Sequence, residues 1–407
     1  MNGLDPRIHS WMANDETRGV MRALKADGGD ARFVGGAVRN ALLGEKVSDV
    51  DIATPLNPDA VMARLRKAGL GAVPTGIDHG TVTAIANGKP YEVTTLRRDV
   101  ATDGRRAIVA FTTDWKEDAA RRDFTMNALY ADEAGAIFDY FGGLADLAAR
   151  RVRFVGDAST RIKEDYLRIL RLFRFHAWYG SGDIDADALA AASAEKAGLK
   201  TLSGERVQKE LLRLLEAKDP VPVLRTMEAA GILREILPDD VRLDRLQYLA
   251  GIGEADGVLR LAAMLSDNFD ANEVAGALRL SNFDRERLAD AAVRDARIDA
   301  GLSPEGARRL LYRLGKNRFR DSVLLNWATS GAGSNDARLR VLLALADGWR
   351  KPEFPLSGKD AMAAGIEEGP KIGVLLRDIE QYWIDSDFTP DRTVLLARLN
   401  DAVKKPR

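Results

Sequence analysis

Asp49 and Asp51 stand two residues apart in GGAVRNALLGEKVSDVDIAT, residues 35–54. In an extended strand that separation puts both carboxylates on one face. So placed, they can chelate one or two magnesium ions. Cations held there polarise a phosphorus centre, activate an attacking hydroxyl and steady a departing pyrophosphate. A D-x-D is also an ordinary polar strand edge or turn, and the flanking residues weigh between the two readings. Gly35 and Gly36 allow a tight turn after an apolar strand, and Ala37 to Leu43 reads as a short helix whose first amides aim at an anion. Arg39, on its first turn, offers a charged fork to a phosphate oxygen. A Gly-Gly pair alone is a common turn. Combined with Arg39 and the two aspartates in one strand-helix-strand unit, it reads as a phosphate and magnesium site. Neither a G-x-x-x-x-G-K loop nor a G-x-G-x-x-G fingerprint occurs.

Three further groups extend the constellation. Glu92, in YEVTTLRR, is a candidate third carboxylate on a strand with apolar neighbours, where an unpaired charge is costly; a structural ion pair with Arg97 is the alternative. Arg121 and Arg122, in EDAARRDFTMNALYAD (117–132), read as helical and can reach a polyphosphate or simply be solvated, while Phe124 and Leu129 face the core. In KEDYLRILRLFRFHAWYG (163–180), Asp165, Arg168, Arg171 and Arg174 recur every three residues among Tyr166, Leu167, Ile169, Leu170, Leu172 and Phe173. On a helix such a row drifts slowly around the surface. Guanidinium groups among core residues must be ion-paired or bind anions. One alternative gives Asp165 and Arg168 to the edge of a nucleobase, as an acceptor and a donor fork.

The elements that must position these residues differ between the two halves of the chain. RFVGG, DVDIAT, GTVTAIANG and PYEVTTLRR are rich in β-branched or aromatic residues and bounded by Gly, Pro or Asn, which predicts strands of a mixed α/β domain between about 30 and 140. Beyond about 155 the spacing of Leu, Ala, Ile and Val is helical almost to the end, with breaks at KDPVPV, ILPDD, GLSPEG and KPEFPLSG. The fold class is therefore α+β, with a mixed-sheet head at 1–145, a helical neck at 146–220, and a helical body and tail at 221–407. No fixed-period repeat supports a solenoid.

Composition narrows the chemistry. The 407 residues contain no cysteine, which excludes disulfides, thiolate zinc sites and cysteine nucleophiles. The three histidines, His9, His79 and His176, are too few for an imidazole-rich metal site, so any metal is held by carboxylates, which favours a hard cation. No apolar run of 18 residues exists and MNGLDPRIHSWMANDETRGV does not read as a secretion signal, so no membrane and a cytoplasmic location are expected. A net charge of −1 says nothing against a local basic patch.

Together these motifs resemble the class II CCA-adding enzymes, tRNA nucleotidyltransferases of the polymerase β superfamily. GGAVRNALLG with DVDIAT is similar to the first family motif, and RRDFTMNAL to the second. Glu164, Asp165 and Arg168 match E-D-x-x-R of the neck, and SGERVQKELLRLL the following helix motif. The stretch from TGIDHGTVT through YEVTTLRRDVATDGRRAIVAFTTDW is similar to the CCA-adding branch. The resemblance implies a polymerase β-like head, Mg²⁺ on Asp49 and Asp51, and a triphosphate held by Gly35, Gly36, Arg39 and Arg122. It also implies that Asp165 and Arg168, helped by Arg171 and Arg174, select CTP twice and ATP once without a template. In that scheme the RNA 3′-hydroxyl attacks the α-phosphate in a two-metal reaction that releases pyrophosphate. The partners implied are the tRNA 3′ end, CTP and ATP, with no obligate protein partner. Many members carry Asp after the Arg of the first motif, where this chain has Asn40, expected to be supporting.

The tail stretch LSGKDAMAAGIEEGPKIGVLLRDIEQYW (356–383) is similar to a tail pattern of relatives. Gly369, Pro370 and Gly373 can let a helix start approach an RNA phosphate, or form a plain hinge. Arg308, Arg309, Arg313 and Lys316 in RRLLYRLGKNRFRD are candidates for RNA backbone contact, or a solvated helical face. Alternatives to CCA addition are a bacterial poly(A) polymerase, a CC-only or A-only variant, and a non-catalytic RNA-binding protein.

Overall fold

Nine strands precede residue 140 in the computed structural model, which describes residues 3–404 apart from 103–106, 239, 268, 294–296, 300, 331–335 and 368. They are β1 (Arg32–Val34), β2 (Asp51–Thr54), β3 (Gly71–Gly76), β4 (Thr81–Ala86), β5 (Lys89–Thr95), β6 (Arg97–Thr102), β7 (Ala107–Phe111), β8 (Leu129–Ala131) and β9 (Ile137–Asp139). Seven form one sheet in the order β3-β4-β5-β2-β1-β8-β9, while β6 and β7 pair as a separate antiparallel hairpin. Among the described residues only β2 and β5 run parallel, in the register Asp51 to Glu92 and Ile52 to Val93. The other five pairings of the sheet are antiparallel, so it is mixed.

Alternation along the strands decides what the sheet can hold. Val82, Ala84 and Ala86 of β4 are buried, as are Tyr91, Val93 and Thr95 of β5, while Glu92 between them is exposed. The helices Asp15–Lys25 and Pro58–Lys67 contact β4 and each other. Asn14 and Asn57 cap them, accepting from Thr17 N at 2.7 Å and Ala60 N at 2.8 Å, and Pro58 takes the first helical position, where no amide is needed. Val20, Leu24, Leu65, Ile52, Val82 and Val93 are fully buried. Each contributes roughly 2 kcal/mol through removal of its apolar surface from water. Asp51 and Glu92 alternate with Ile52 and Val93, so they project from the opposite face.

The chain leaves the sheet through a stitch. Phe124 and Phe154 form an isolated bridge, with Thr125 N donating to Arg153 O and Val155 N to Asp123 O, both at 3.0 Å. Among the described residues no strand of the sheet follows Asp139, and the Leu167–Tyr179 helix packs on the Gly204–Leu215 helix. By internal contacts the chain divides into residues 1–238 with 277–279, and residues 239–276 with 280–407. The first unit holds the sheet and both of those helices.

The second unit is helical around two apolar clusters. One centres on Leu310, Leu311, Phe319, Val323 and Trp327, the other on Tyr312, Ile379, Trp383, Leu395 and Leu399. Arg287 ties three of its segments, bonding Asp321 at 2.9 Å and Asp256 at 2.8 Å.

Candidate active site

The aspartates are presented together, though not both from within a strand. β2 begins at Asp51, and Asp49 lies just before it. The alternation nevertheless extends backwards: Val50 is buried, Asp49 is exposed and Asp51 half-buried. Asp49 Oδ2 accepts from Ser48 Oγ at 2.8 Å. Burial pushes the Asp51 carboxyl up to about 6, with Glu92 and Asp49 adding to the rise and Arg122 opposing it. Glu92 is exposed, so the expected cost of burying it does not arise. It stands beside Asp51 in the parallel register. Among the described residues no three His, Asp or Glu side chains close into a metal cage. Two carboxylates with water and phosphate oxygens suit Mg²⁺. The negative charge accumulated at half-buried Asp51 is what a hard cation relieves.

The glycine turn sits against the arginines. Gly35 caps the Gly36–Leu43 helix at φ +67°, and a Cβ there would come 3.6 Å from Arg122 Nη1. A side chain would be strained by that φ and would rest in van der Waals contact with the guanidinium. Arg39 is buried and bonds Asn127 Oδ1 at 2.6 Å, Tyr179 Oη at 2.9 Å, and Asn40 Oδ1 from Nη2 at 2.8 Å and Nε at 3.1 Å. Asn40 thus supports Arg39 directly.

Arg121 and Arg122 follow the Trp115–Ala120 helix instead of lying inside it, because that helix ends at Ala120 with Arg121 as its cap. Both converge on Asp118, which is 1% exposed and also accepts from Tyr130 Oη at 2.6 Å. Burial disfavours the charge on Asp118, but Arg122, Arg121 and the Tyr130 hydroxyl overcome it and hold the carboxyl at about 2. Arg122 is correspondingly kept charged despite its own desolvation.

The neck arginines are each committed to an acid. Arg168 pairs with Glu164 and donates to Arg161 O at 2.8 Å and Arg121 O at 3.3 Å. Arg171 bonds Asp123 at 2.8 Å and lies 3.5 Å from Glu210, which also pairs with Arg174. Burial opposes ionisation of Asp123, yet Arg171 and Asn127 hold its carboxyl at about 2. Arg39, Arg171 and Arg174 all stand over the ring of Phe175, at 5.2, 5.2 and 4.4 Å.

Asp165 departs from the expected helical row. It is extended, at φ −159° and ψ 106°, between the Ala158–Glu164 and Leu167–Tyr179 helices. It accepts from Leu167 N at 3.1 Å and pairs with Arg206 at 2.7 Å. Arg168 N still bonds Asp165 O at 3.0 Å, which keeps the two residues one turn apart. The ring of Tyr166 lies on Gly198, where a Cβ would meet it at 2.2 Å.

Five positioning residues were not picked out from the sequence. Asp118 carried a signal in its three- and four-residue spacing to Arg121 and Arg122. Asp123, Asn127, Tyr179 and Glu210 carried none, because the arginines they hold are distant in the chain. In the second unit, Arg308 pairs with Asp387 at 2.5 Å, Arg309 donates to Asp385 O at 2.8 Å, Arg313 to Gln381 at 2.7 Å and Lys316 to Asp347 O at 3.1 Å. Each of these basic residues thus has a partner within the unit, three of them at the end of the Pro370–Asp385 helix. That helix starts, as the glycines suggested, with Gly369 as its cap and Pro370 first.

Comparison with known proteins agrees with this arrangement. Residues 31–153 match the family model "Poly A polymerase head domain", and 183–240 match "Probable RNA and SrmB- binding site of polymerase A". The chain is 34% identical to the mitochondrial CCA tRNA nucleotidyltransferase 1 of Mus musculus, over 90% of this chain and 86% of that one. It is 33% identical to the CCA-adding enzyme of Levilactobacillus brevis, over 94% and 97%. The crystal structure of the Bacillus stearothermophilus CCA-adding enzyme in complex with CTP superposes with a TM-score of 0.75 at 27% identity, covering 96% of this chain and 97% of that one.

Proposed function

Because the chain belongs to the family of CCA-adding tRNA nucleotidyltransferases, we propose that it completes tRNA 3′ ends by adding C, C and A from CTP and ATP without a nucleic-acid template. The observation that carries this reading is the meeting, in one unit, of the Asp49, Asp51 and Glu92 carboxylates with Arg122, the Gly35 turn and an arginine-bearing helix. The RNA 3′-hydroxyl attacks the α-phosphorus. A new P–O bond forms, the bond to the bridging oxygen breaks, and pyrophosphate leaves as the hydroxyl proton is released.

Asp49 and Asp51 fit Mg²⁺, which when bound neutralises charge at the phosphates and acidifies the attacking hydroxyl. Arg122, fixed by Asp118 and Tyr130, and Arg39, beneath the Gly35–Gly36 turn, take the triphosphate. Asp165 offers an acceptor and Arg168 a donor fork to the base. Cytosine and adenine both present an amino donor beside a ring-nitrogen acceptor, whereas uracil and guanine do not. To read that edge, Asp165 exchanges Arg206 and Arg168 exchanges Glu164 for the nucleobase, while Arg171 and Arg174 keep the helix face charged. In this reading the head, 1–145, performs the chemistry, the neck, 146–220, selects the base, and 221–407 bind tRNA, with the cytoplasm as the place of action. The test is a product gel with tRNA lacking CCA. CTP alone should add two residues, ATP alone essentially none, and both together three; long A tails without C would instead mark a poly(A) polymerase.

A further inference from the structure

Arg121, Arg122, Arg168, Arg171 and Arg174 each have a carboxylate partner. Arg39 is different. It is 7% exposed, and its four hydrogen bonds go to neutral oxygens of Asn40, Asn127 and Tyr179. Among the described residues no carboxylate lies within ion-pair distance of it. Its guanidinium also stacks on the Tyr179 ring at 4.0 Å. A Cβ on Gly36 would come 3.8 Å from its Nη2, so the charge lies under the glycine turn. A buried guanidinium without a counter-anion is costly, and neutral acceptors orient it without cancelling its charge.

The two asparagines are neutral for different reasons. Asn127 Nδ2 donates to Asp123 Oδ1 at 3.0 Å, so a carboxylate at 127 would face another carboxylate. Asn40 has no such constraint, since its Nδ2 reaches only Lys46 O, at 3.2 Å and near solvent. An aspartate of the same shape fits at 40 and would pair with Arg39.

We propose that Asn40, Asn127 and Tyr179 form an uncharged cradle that aims Arg39 and leaves its charge unspent for the polyphosphate of the incoming nucleotide, with Asn40 as the positioning residue that sets anion affinity. This rests on the reading of the Gly35–Arg39 segment as the triphosphate holder. It implies an opposition between stability and binding, because the missing counter-ion weakens the unliganded fold and strengthens the anion site.

The experiment compares the wild type, Asn40→Asp and Asn40→Ala by calorimetric titration with inorganic pyrophosphate in the presence of Mg²⁺, and by thermal melting without ligand. Asn40→Asp should bind pyrophosphate about tenfold more weakly and melt above the wild type. Asn40→Ala, which merely deletes hydrogen bonds, should melt below it. With CTP and ATP, Asn40→Asp should raise both KM values alike and leave the order of C and A addition unchanged, since the triphosphate is common to both. Undiminished pyrophosphate affinity in Asn40→Asp, or a melting point that falls together with that of Asn40→Ala, would overturn the proposal. Pyrophosphate binding that follows this pattern in a protein unable to extend tRNA would sink the functional reading and leave the cradle standing.

Discussion

Replacing Asp118 by Asn tests how the site holds Arg122. The carboxylate is nearly inaccessible and accepts from Tyr130 Oη at 2.6 Å, Arg121 Nε at 2.9 Å, Arg122 Nη2 at 3.0 Å and Arg97 N at 3.2 Å. An amide keeps the shape but leaves two guanidinium groups without a counter-charge, and removing one partner of a buried pair costs about 3 kcal/mol. A second estimate comes from proton linkage. Lowering the Asp118 carboxyl from 3.8 to about 2 corresponds to about 2 kcal/mol of stabilisation by the ionised form. Because the folded-state pKa is depressed, that stabilisation is complete above pH 3.8 and disappears as pH falls through about 2. Urea unfolding at pH 7 should therefore show Asp118→Asn less stable by about 3 kcal/mol, and the gap to the wild type should narrow between pH 4 and pH 2. With Arg122 released, KM for CTP should rise about tenfold while kcat changes less. A deficit below about 1 kcal/mol at pH 7, or a gap that stays constant down to pH 2, would refute the account of Asp118 as the charged anchor.

Other substitutions probe other parts of the site. Asp51→Ala should abolish C and A addition while gel-shift affinity for tRNA stays within about twofold, since the role proposed for Asp51 is to hold Mg²⁺ and not to contact RNA. Arg168→Ala should relax discrimination among the four triphosphates, read as misincorporated U or G in product sequencing, more than it slows addition. Gly198→Ala places a Cβ 2.2 Å from the Tyr166 ring. It should shift Tyr166 and its neighbour Asp165, lowering kcat/KM for CTP about tenfold while pyrophosphate binding is unchanged.

The α+β division and the paired aspartates were legible in the sequence because both depend on local periodicity. Val50 between Asp49 and Asp51 already forces the two carboxylates to one side, even though the hydrogen-bonded strand starts only at Asp51. The neighbour of Asp51 was less legible. Glu92 is suggested by its residue type, but its place beside Asp51 follows from a parallel register set by the connection from Thr54 to Lys89, which no local pattern encodes. The arginine row was visible, whereas its counter-ions were not: Glu210 lies 36 residues beyond Arg174, and Asp123 lies 48 before Arg171. Asp165 was misplaced by one step of geometry. The three-residue spacing suits a continuous helix, but the chain is extended at that residue, and its side chain accepts from Leu167 N at the start of the helix that follows.

That extended residue and its neighbour have a bearing on turnover. In the free protein Asp165 is occupied by Arg206 and Arg168 by Glu164, so neither charge waits bare for a visitor. If Asp165 and Arg168 read the base as proposed, a nucleobase arriving there swaps one set of partners for a closely similar one, and the net gain is the small difference between them. On that reading the grip on each base is kept light and quickly reversible, as suits a catalyst that must let go of each nucleotide it has joined and make room for the next.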